Sequence, residues 1–264
     1  MIWFAGYLAA GAFVGFMAGL LGVGGGMMLV PILAALFSAQ QFAPDHIVHL
    51  SLATAMAAVV FTSAASVREH WKLGGVDFAI VKRMAPGMMA GTLVSTIATG
   101  SIAQRHLALA FALILVGGAT QIMLNKKPKP GRTLPGPLPL FGFGAAVGVV
   151  SGLVSAGGAF LTMPFMLLCG VPVRTAIGTG ATLGIPVAII GTFGYMASGW
   201  GAPDLPPWSL GFVNLVAVGG LILTSVVTAP LGARVAHRVP VLLLKRLFAC
   251  CLYVVAARML IAYW

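Results

Sequence analysis

Residues 11–31 read GAFVGFMAGLLGVGGGMMLVP, and residues 144–164 read GAAVGVVSGLVSAGGAFLTMP. At this offset of 133, nine of the 21 positions are identical. Gly11, Gly15 and Gly19 recur as Gly144, Gly148 and Gly152, and Pro31 recurs as Pro164. The glycine-rich break Gly22–Gly26 recurs as Ser155–Ala159. A period of half the chain does not describe a solenoid. In a membrane protein, paired glycine-interrupted apolar segments in corresponding halves point to a transporter's binding site.

Composition supplies the membrane. Hydrophobic residues make up 60% of the 264 and charged residues 7%, with a mean hydropathy of +1.06. A soluble domain has about a quarter of its residues charged. The uncharged runs 47–67, 107–125 and 209–233 are each long enough to span a bilayer. The 15 Lys and Arg outnumber the four acids, for a net charge of +11, yet they fall between apolar runs. There they orient spans and meet lipid head groups, so the partner is the lipid bilayer and no nucleic acid. No Lys or Arg precedes the first apolar run, which argues against a cleaved signal peptide. Cys169, Cys250 and Cys251 have no metal-ligand spacing and read as apolar fillers.

Eight apolar segments follow, at 4–37, 47–67, 84–104, 107–125, 139–169, 175–202, 209–233 and 239–264. The first and fifth are too long for one span and carry the breaks. If every segment crossed once, the cations would divide nine to six. If the first and fifth segments bend at their glycines and return, the division becomes 13 to two, with only Arg105 and Arg258 on the minor side. The second arrangement is what orientation bias looks like. Each half then holds one broken hairpin and three spans, so the halves lie in opposite orientations. The expected fold is an all-α polytopic membrane protein of two inverted-topology repeats, 1–125 and 139–264. A basic, proline-rich linker at 126–138 joins them on the cytoplasmic side.

The run Gly15-x3-Gly19-x2-Gly22-Val23-Gly24-Gly25-Gly26-x4-Pro31 resembles the opening motif of the TauE/SafE sulfite exporter family. The resemblance continues in Ser51-Leu52-Ala53-Thr54, in the Arg68–Gly75 loop before Asp77, and in Thr228–Arg238. It implies export of sulfite, organosulfonates or related small sulfur anions across a bacterial cytoplasmic (inner) membrane. It implies no cofactor.

The residues themselves favour the same type of ligand. A helix restarting after Gly24-Gly25-Gly26 exposes N–H groups backed by the positive end of its dipole. Glycine also lets an anion approach the backbone. Gly157, Gly158 and Ala159 repeat the arrangement, with the Ser155 hydroxyl as an extra donor. Two such termini facing each other would cage a small oxyanion. Ser51 and Thr54, with Thr179 and Thr182 in the other half, add hydroxyls at the start of the following span. The repeat alignment pairs Ser51 only approximately, with Gly180 or Thr179, because the loop 38–46 is longer than its counterpart. Gly11, Gly15, Gly19 and their repeats read instead as helix-packing glycines.

The acids Asp45, Glu69, Asp77 and Asp204 lie outside the spans, which excludes a buried carboxylate relay. The histidines fall at span ends, where His49, one turn before Thr54, is placed to titrate. Arg258 and its repeat partner Gln121 read as snorkelling polar residues. Gly22-Val23-Gly24 does not open a dinucleotide fingerprint, because position 27 is Met, and no phosphate-binding Gly-x4-Gly-Lys motif exists. The expectation is a transporter working by alternating access, not an enzyme. An importer of another small organic anion and an anion channel are the alternatives, and a homo-oligomer is compatible with such a chain.

Overall fold

The computed structural model describes residues 2–21, 25–72, 75–124, 134–236 and 241–263. The first half holds α1 (Ile2–Leu21), α2 (Gly26–Ala39), a 3-10 turn at Pro44–His46, α3 (Ile47–Lys72), α4 (Phe78–Thr99) and α5 (Gln104–Leu124). The second holds α6 (Pro137–Val154), α7 (Ala159–Leu168), α8 (Val173–Ser198), α9 (Leu215–Ala236) and α10 (Val241–Tyr263). A two-stranded antiparallel hairpin, β1 (Ser209–Leu210) and β2 (Val213–Asn214), precedes α9.

Both long apolar segments divide at their glycines, into α1 with α2 and α6 with α7. Each pair folds back on itself. At the open end of the first, the Gln40 side-chain amide donates to the Tyr7 hydroxyl (2.7 Å), and Phe37 lies edge-on to Tyr7. In the second, Phe143 and Phe165 stack with centroids 4.0 Å apart. Pro31 and Pro164 sit at matching places in the short arms.

The most extensive helix pairings are unchanged when α1–α5 are exchanged for α6–α10. The most extensive contacts, α1 on α9 and α4 on α6, become each other, as do α3–α9 and α8–α4, or α2–α3 and α7–α8. Two pairings map onto themselves: α3 crossing α8, and α5 against α10. The four-residue glycine spacing makes the first two contacts close. Gly11 and Gly15 lie against the α9 backbone at Leu221 and Ser225, and Gly144 and Gly148 against α4 at Met84 and Met88. The Thr224 hydroxyl donates to the Leu8 carbonyl (2.7 Å), and the Thr92 hydroxyl to the Gly148 carbonyl (3.0 Å), one staple per pair.

The distribution of polarity is that of a chain solvated by lipid. Leu223 and Val254 are more than 60% exposed, while Ser51, Thr54, Thr96 and Thr179 are fully buried. Among the described residues, six helices are long and apolar enough to cross a membrane; α2 and α7 are too short. Exposed tryptophans stand at helix ends, Trp3 on α1, Trp71 on α3, and Trp200 and Trp208 between α8 and α9. Such rings prefer the membrane–water interface.

Three sequence-based boundaries are corrected. The third segment becomes helical at Phe78, not at 84, because the Asp77 carboxylate accepts the N–H groups of Ala79 (2.9 Å) and Ile80 (3.2 Å). Lys82 and Arg83 are therefore exposed residues of α4 rather than of a loop. The segment from 209 begins as a β-hairpin, a small departure from an all-α chain. Arg234 closes α9, and Lys245 and Arg246 lie within α10, so the basic 234–246 stretch is mostly helical. Most of the linker, including Arg132, lies outside the described residues.

Candidate functional site

The glycines that precede the two short helices have one backbone geometry. Gly25 and Gly158 precede α2 and α7 with φ of 72° and 75°. The Gly25 carbonyl accepts from Met28 (3.1 Å) and Leu29 (3.2 Å), and the Gly158 carbonyl from Leu161 (3.1 Å) and Thr162 (3.0 Å). The N–H groups of Gly26 and Met27, and of Ala159 and Phe160, precede the first intrahelical bond of their helices. The left-handed conformation explains glycine at both positions, since a Cβ there is costly.

The fold brings the breaks together. Gly26 lies against the carbonyl of Ser155, so close that a Cβ at residue 26 would collide with it. Ser155 itself takes the left-handed conformation, at φ 51° and ψ 38°. The chain reversal is a Schellman turn, with Ala156 N–H on the Ser151 carbonyl (3.0 Å) and Ser155 N–H on the Gly152 carbonyl (3.4 Å). A non-glycine residue there is strained, and its hydroxyl is anchored by donation to the Leu52 carbonyl of α3 (2.6 Å). Val59 of α3 approaches Gly26, and Gly157 faces Gly184 of α8. The crossing of α3 and α8 thus floors the junction.

The other expected site residues divide into two groups. Ser51 and Thr182 donate back to their own helices, at the Ile47 (2.7 Å) and Gly178 (2.8 Å) carbonyls. Thr54 and Thr179 instead reach across the halves. The Thr54 hydroxyl accepts the N–H of Asn214 (3.1 Å), and the Thr179 hydroxyl accepts the N–H of Asp77 (2.9 Å). Asn214 and Asp77 both begin helices, and both cap them with their own side chains; the Asn214 carbonyl oxygen accepts from Ala217 (2.9 Å). These reciprocal bonds pair Thr54 with Thr179, which corrects the approximate pairing of Ser51 with Gly180 or Thr179. Gly25, Gly26, Ser155, Gly157, Gly158 and Ala159 are all buried at the junction, while Gly24 lies outside the described residues.

A valine at Gly25 or Gly158 would not simply fill a vacancy. A Cβ on Gly25 would stand 2.8 Å from Val14 Cγ1 and 2.9 Å from Ala18 Cβ, both on α1. On Gly158 it would meet the Met88 methyl and Ser151 Oγ.

His49 lies in the first turn of α3, and its side chain is buried. Its Nε2 faces the Thr99 (3.0 Å) and Ile102 (3.1 Å) carbonyls, and its ring packs on Phe212. Arg258 and Gln121 are exposed, as snorkelling requires. Among the described residues, no three His, Cys, Asp or Glu side chains converge as a metal site would need.

Tyr195 was missed from sequence. It is fully buried on α8 and donates to the Gly152 carbonyl (2.7 Å), which also accepts the Ser155 N–H where α6 ends. A lone tyrosine in an apolar run was the available signal, because a buried phenol needs a partner. Tyr195→Phe is expected to cost about 1 kcal/mol, the ordinary worth of such a bond. It should appear as a lower melting temperature of the detergent-purified protein.

The sequence model of the family described as Sulfite exporter TauE/SafE matches residues 7–259. A probable membrane transporter protein of Haemophilus influenzae is 35% identical over 253 residues, covering 96% of each chain. Probable membrane transporter protein YdhB of Bacillus subtilis is 25% identical over 240 residues, 88% of this chain and 90% of the relative. YunE, named likewise and from the same organism, is 24% identical over 213 residues, 72% and 77% of the two chains. No solved structure matches.

Proposed function

The chain belongs to the Sulfite exporter TauE/SafE family of multi-pass membrane transporters, and from that premise we propose that it exports sulfite or small organosulfonates by alternating access. The bacterial cytoplasmic membrane is the setting this reading requires. The observation that carries it is the meeting of two broken hairpins, Gly26 against Ser155, at matching helix N-termini. Two positive helix ends and small residues suit an anion held without a buried cation, and weak enough holding to release it. In this reading Gly25, Gly26, Gly157, Gly158 and Ala159 face the anion, Gly24 adjoins them in sequence, and Ser155, its hydroxyl held by Leu52, sets the turn beside them. Ser51 and Thr182 stand one helix away.

The exchange-symmetric packing supports two inverted repeats, 1–125 and 139–264, with the 126–138 linker in the cytoplasm. The Thr54–Asn214 and Thr179–Asp77 bonds then act as latches on opposite faces. The close approaches of Met56 to Gly191 and of Ser63 to Gly184 make α3 and α8 antiparallel. Thr54 and Thr179 are thereby about 20 Å apart along the crossing, at 1.5 Å per residue. Opening one latch while the other holds is the elementary step of alternating access.

Proteoliposomes loaded with unlabelled sulfite test the function. Saturable counterflow of radiolabelled sulfite is expected; a non-saturating leak without counterflow would mark a channel, and no flux of any sulfur anion would end the reading. Orientation has its own test. Single cysteines at Arg132 and Arg174, in a background lacking Cys169, Cys250 and Cys251, should label from the same, cytoplasmic face. Labelling from opposite faces would refute the inverted arrangement.

A further inference from the structure

The starts of α2 and α7 share a backbone geometry but not the side chains around them. At the 133-residue offset, Ser151 stands where the first half has Ala18, and Thr162 where it has Leu29. Both hydroxyls are fully buried, and neither has a hydrogen-bond partner among the described residues. That is uncommon for a membrane-helix hydroxyl, which ordinarily bonds a carbonyl of its own helix. Ser51, Thr96, Thr120, Thr182 and Thr192 all do so here.

Both unpaired hydroxyls adjoin the first turn of α7. Ser151 Oγ lies 3.1 Å from where a Cβ on Gly158 would stand, and so points at the residue that opens the helix. Thr162 is in that first turn, with Oγ1 toward α8, 3.3 Å from the corresponding point on Gly180. The other buried hydroxyls without a partner among the described residues, Ser66 and Ser225, lie within α3 and α9. The remaining side of Gly158 is covered by the Met88 methyl, a flexible and deformable group.

Resting on the anion-carrier reading, we propose that Ser151 and Thr162 are the hydroxyls that donate to the substrate's oxygens, so that the anion is gripped at the second break and not symmetrically. The ligand class is a small oxyanion, sulfite or a sulfonate head group, whose oxygens accept from both hydroxyls and from the N–H groups that open α7. The α2 break, with Val14 and Ala18 beside Gly25 and Leu29 in its first turn, supplies helix-end charge and an apolar wall.

Titration calorimetry of the purified full-length protein with sodium sulfite, then with sodium methanesulfonate, tests this. Ser151→Ala and Thr162→Val should each weaken binding about ten- to hundredfold, the loss expected for a hydrogen bond to a charged group. The variant Gly117→Ala, where nothing lies within 4 Å of the added Cβ, should bind within about twofold of the parent. Melting of the ligand-free Ser151→Ala and Thr162→Val proteins should be unchanged or raised, because an unpaired buried hydroxyl is removed. A structural hydroxyl would lower it instead. If the parent binds sulfite and both variants match its affinity, the proposal is overturned and the carrier reading stands. If the parent binds neither anion, the proposal falls with that reading.

Discussion

Gly26→Val is expected to abolish sulfite counterflow and to reduce the amount of folded protein recovered in detergent. A Cβ at residue 26 collides with the Ser155 carbonyl and stands 2.9 Å from Val59 Cγ2. The carbonyl belongs to backbone already committed to a left-handed turn, so it cannot simply turn aside. Overpacking of this kind costs about 1–3 kcal/mol even where side chains can adjust. Gly26→Ala should show the same loss in milder form. Gly117→Ala and Gly219→Ala serve as controls, because nothing lies within 4 Å of a Cβ at either position. Both sit inside helices, where alanine is favoured over glycine by about 1 kcal/mol, so counterflow should survive and stability should hold or rise. Normal counterflow in Gly26→Val would show that the breaks need not touch, and the site would have to be sought elsewhere.

Thr54→Val and Thr179→Val are expected to shift access in opposite directions. Each removes the acceptor of one bond between the halves and leaves a helix-start N–H of Asn214 or Asp77 without it. A bond worth about 1 kcal/mol moves a two-state equilibrium about fivefold. The reporter is a single cysteine at Val59, beside Gly26, in the cysteine-free background, labelled by an impermeant maleimide in vesicles of known orientation. Thr54→Val should label faster from the outer face and Thr179→Val faster from the cytoplasmic face, with the double variant returning toward the parent ratio. Shifts in the same direction would remove the latches from the mechanism.

What the sequence determined by itself is local. The breaks, the glycines ahead of the restarted helices and the packing glycines were legible because each is encoded within a few residues. A positive φ calls for glycine, a 30-residue apolar run must turn, and close helix crossings need small residues. The repeat could also be read, since both breaks keep one offset (158 − 25 = 133).

That offset does not persist. The loops differ in length, so the paired threonines are 125 apart (179 − 54) and the paired helix caps 137 (214 − 77). No single alignment shift shows both. Only the tertiary structure decided that Thr54 and Thr179 bind the opposite half, because their partners are 160 and 102 residues away. The start of α4 was likewise obscured, since Lys82 and Arg83 mask a helix that the Asp77 cap sets in place. The burial of His49, the Tyr195 bond to Gly152 and the unpaired hydroxyls of Ser151 and Thr162 are of the same kind. Whether a polar atom finds a partner depends on which helices pack around it, and in lipid that is decided by the assembled bundle rather than by the residue's neighbours in sequence.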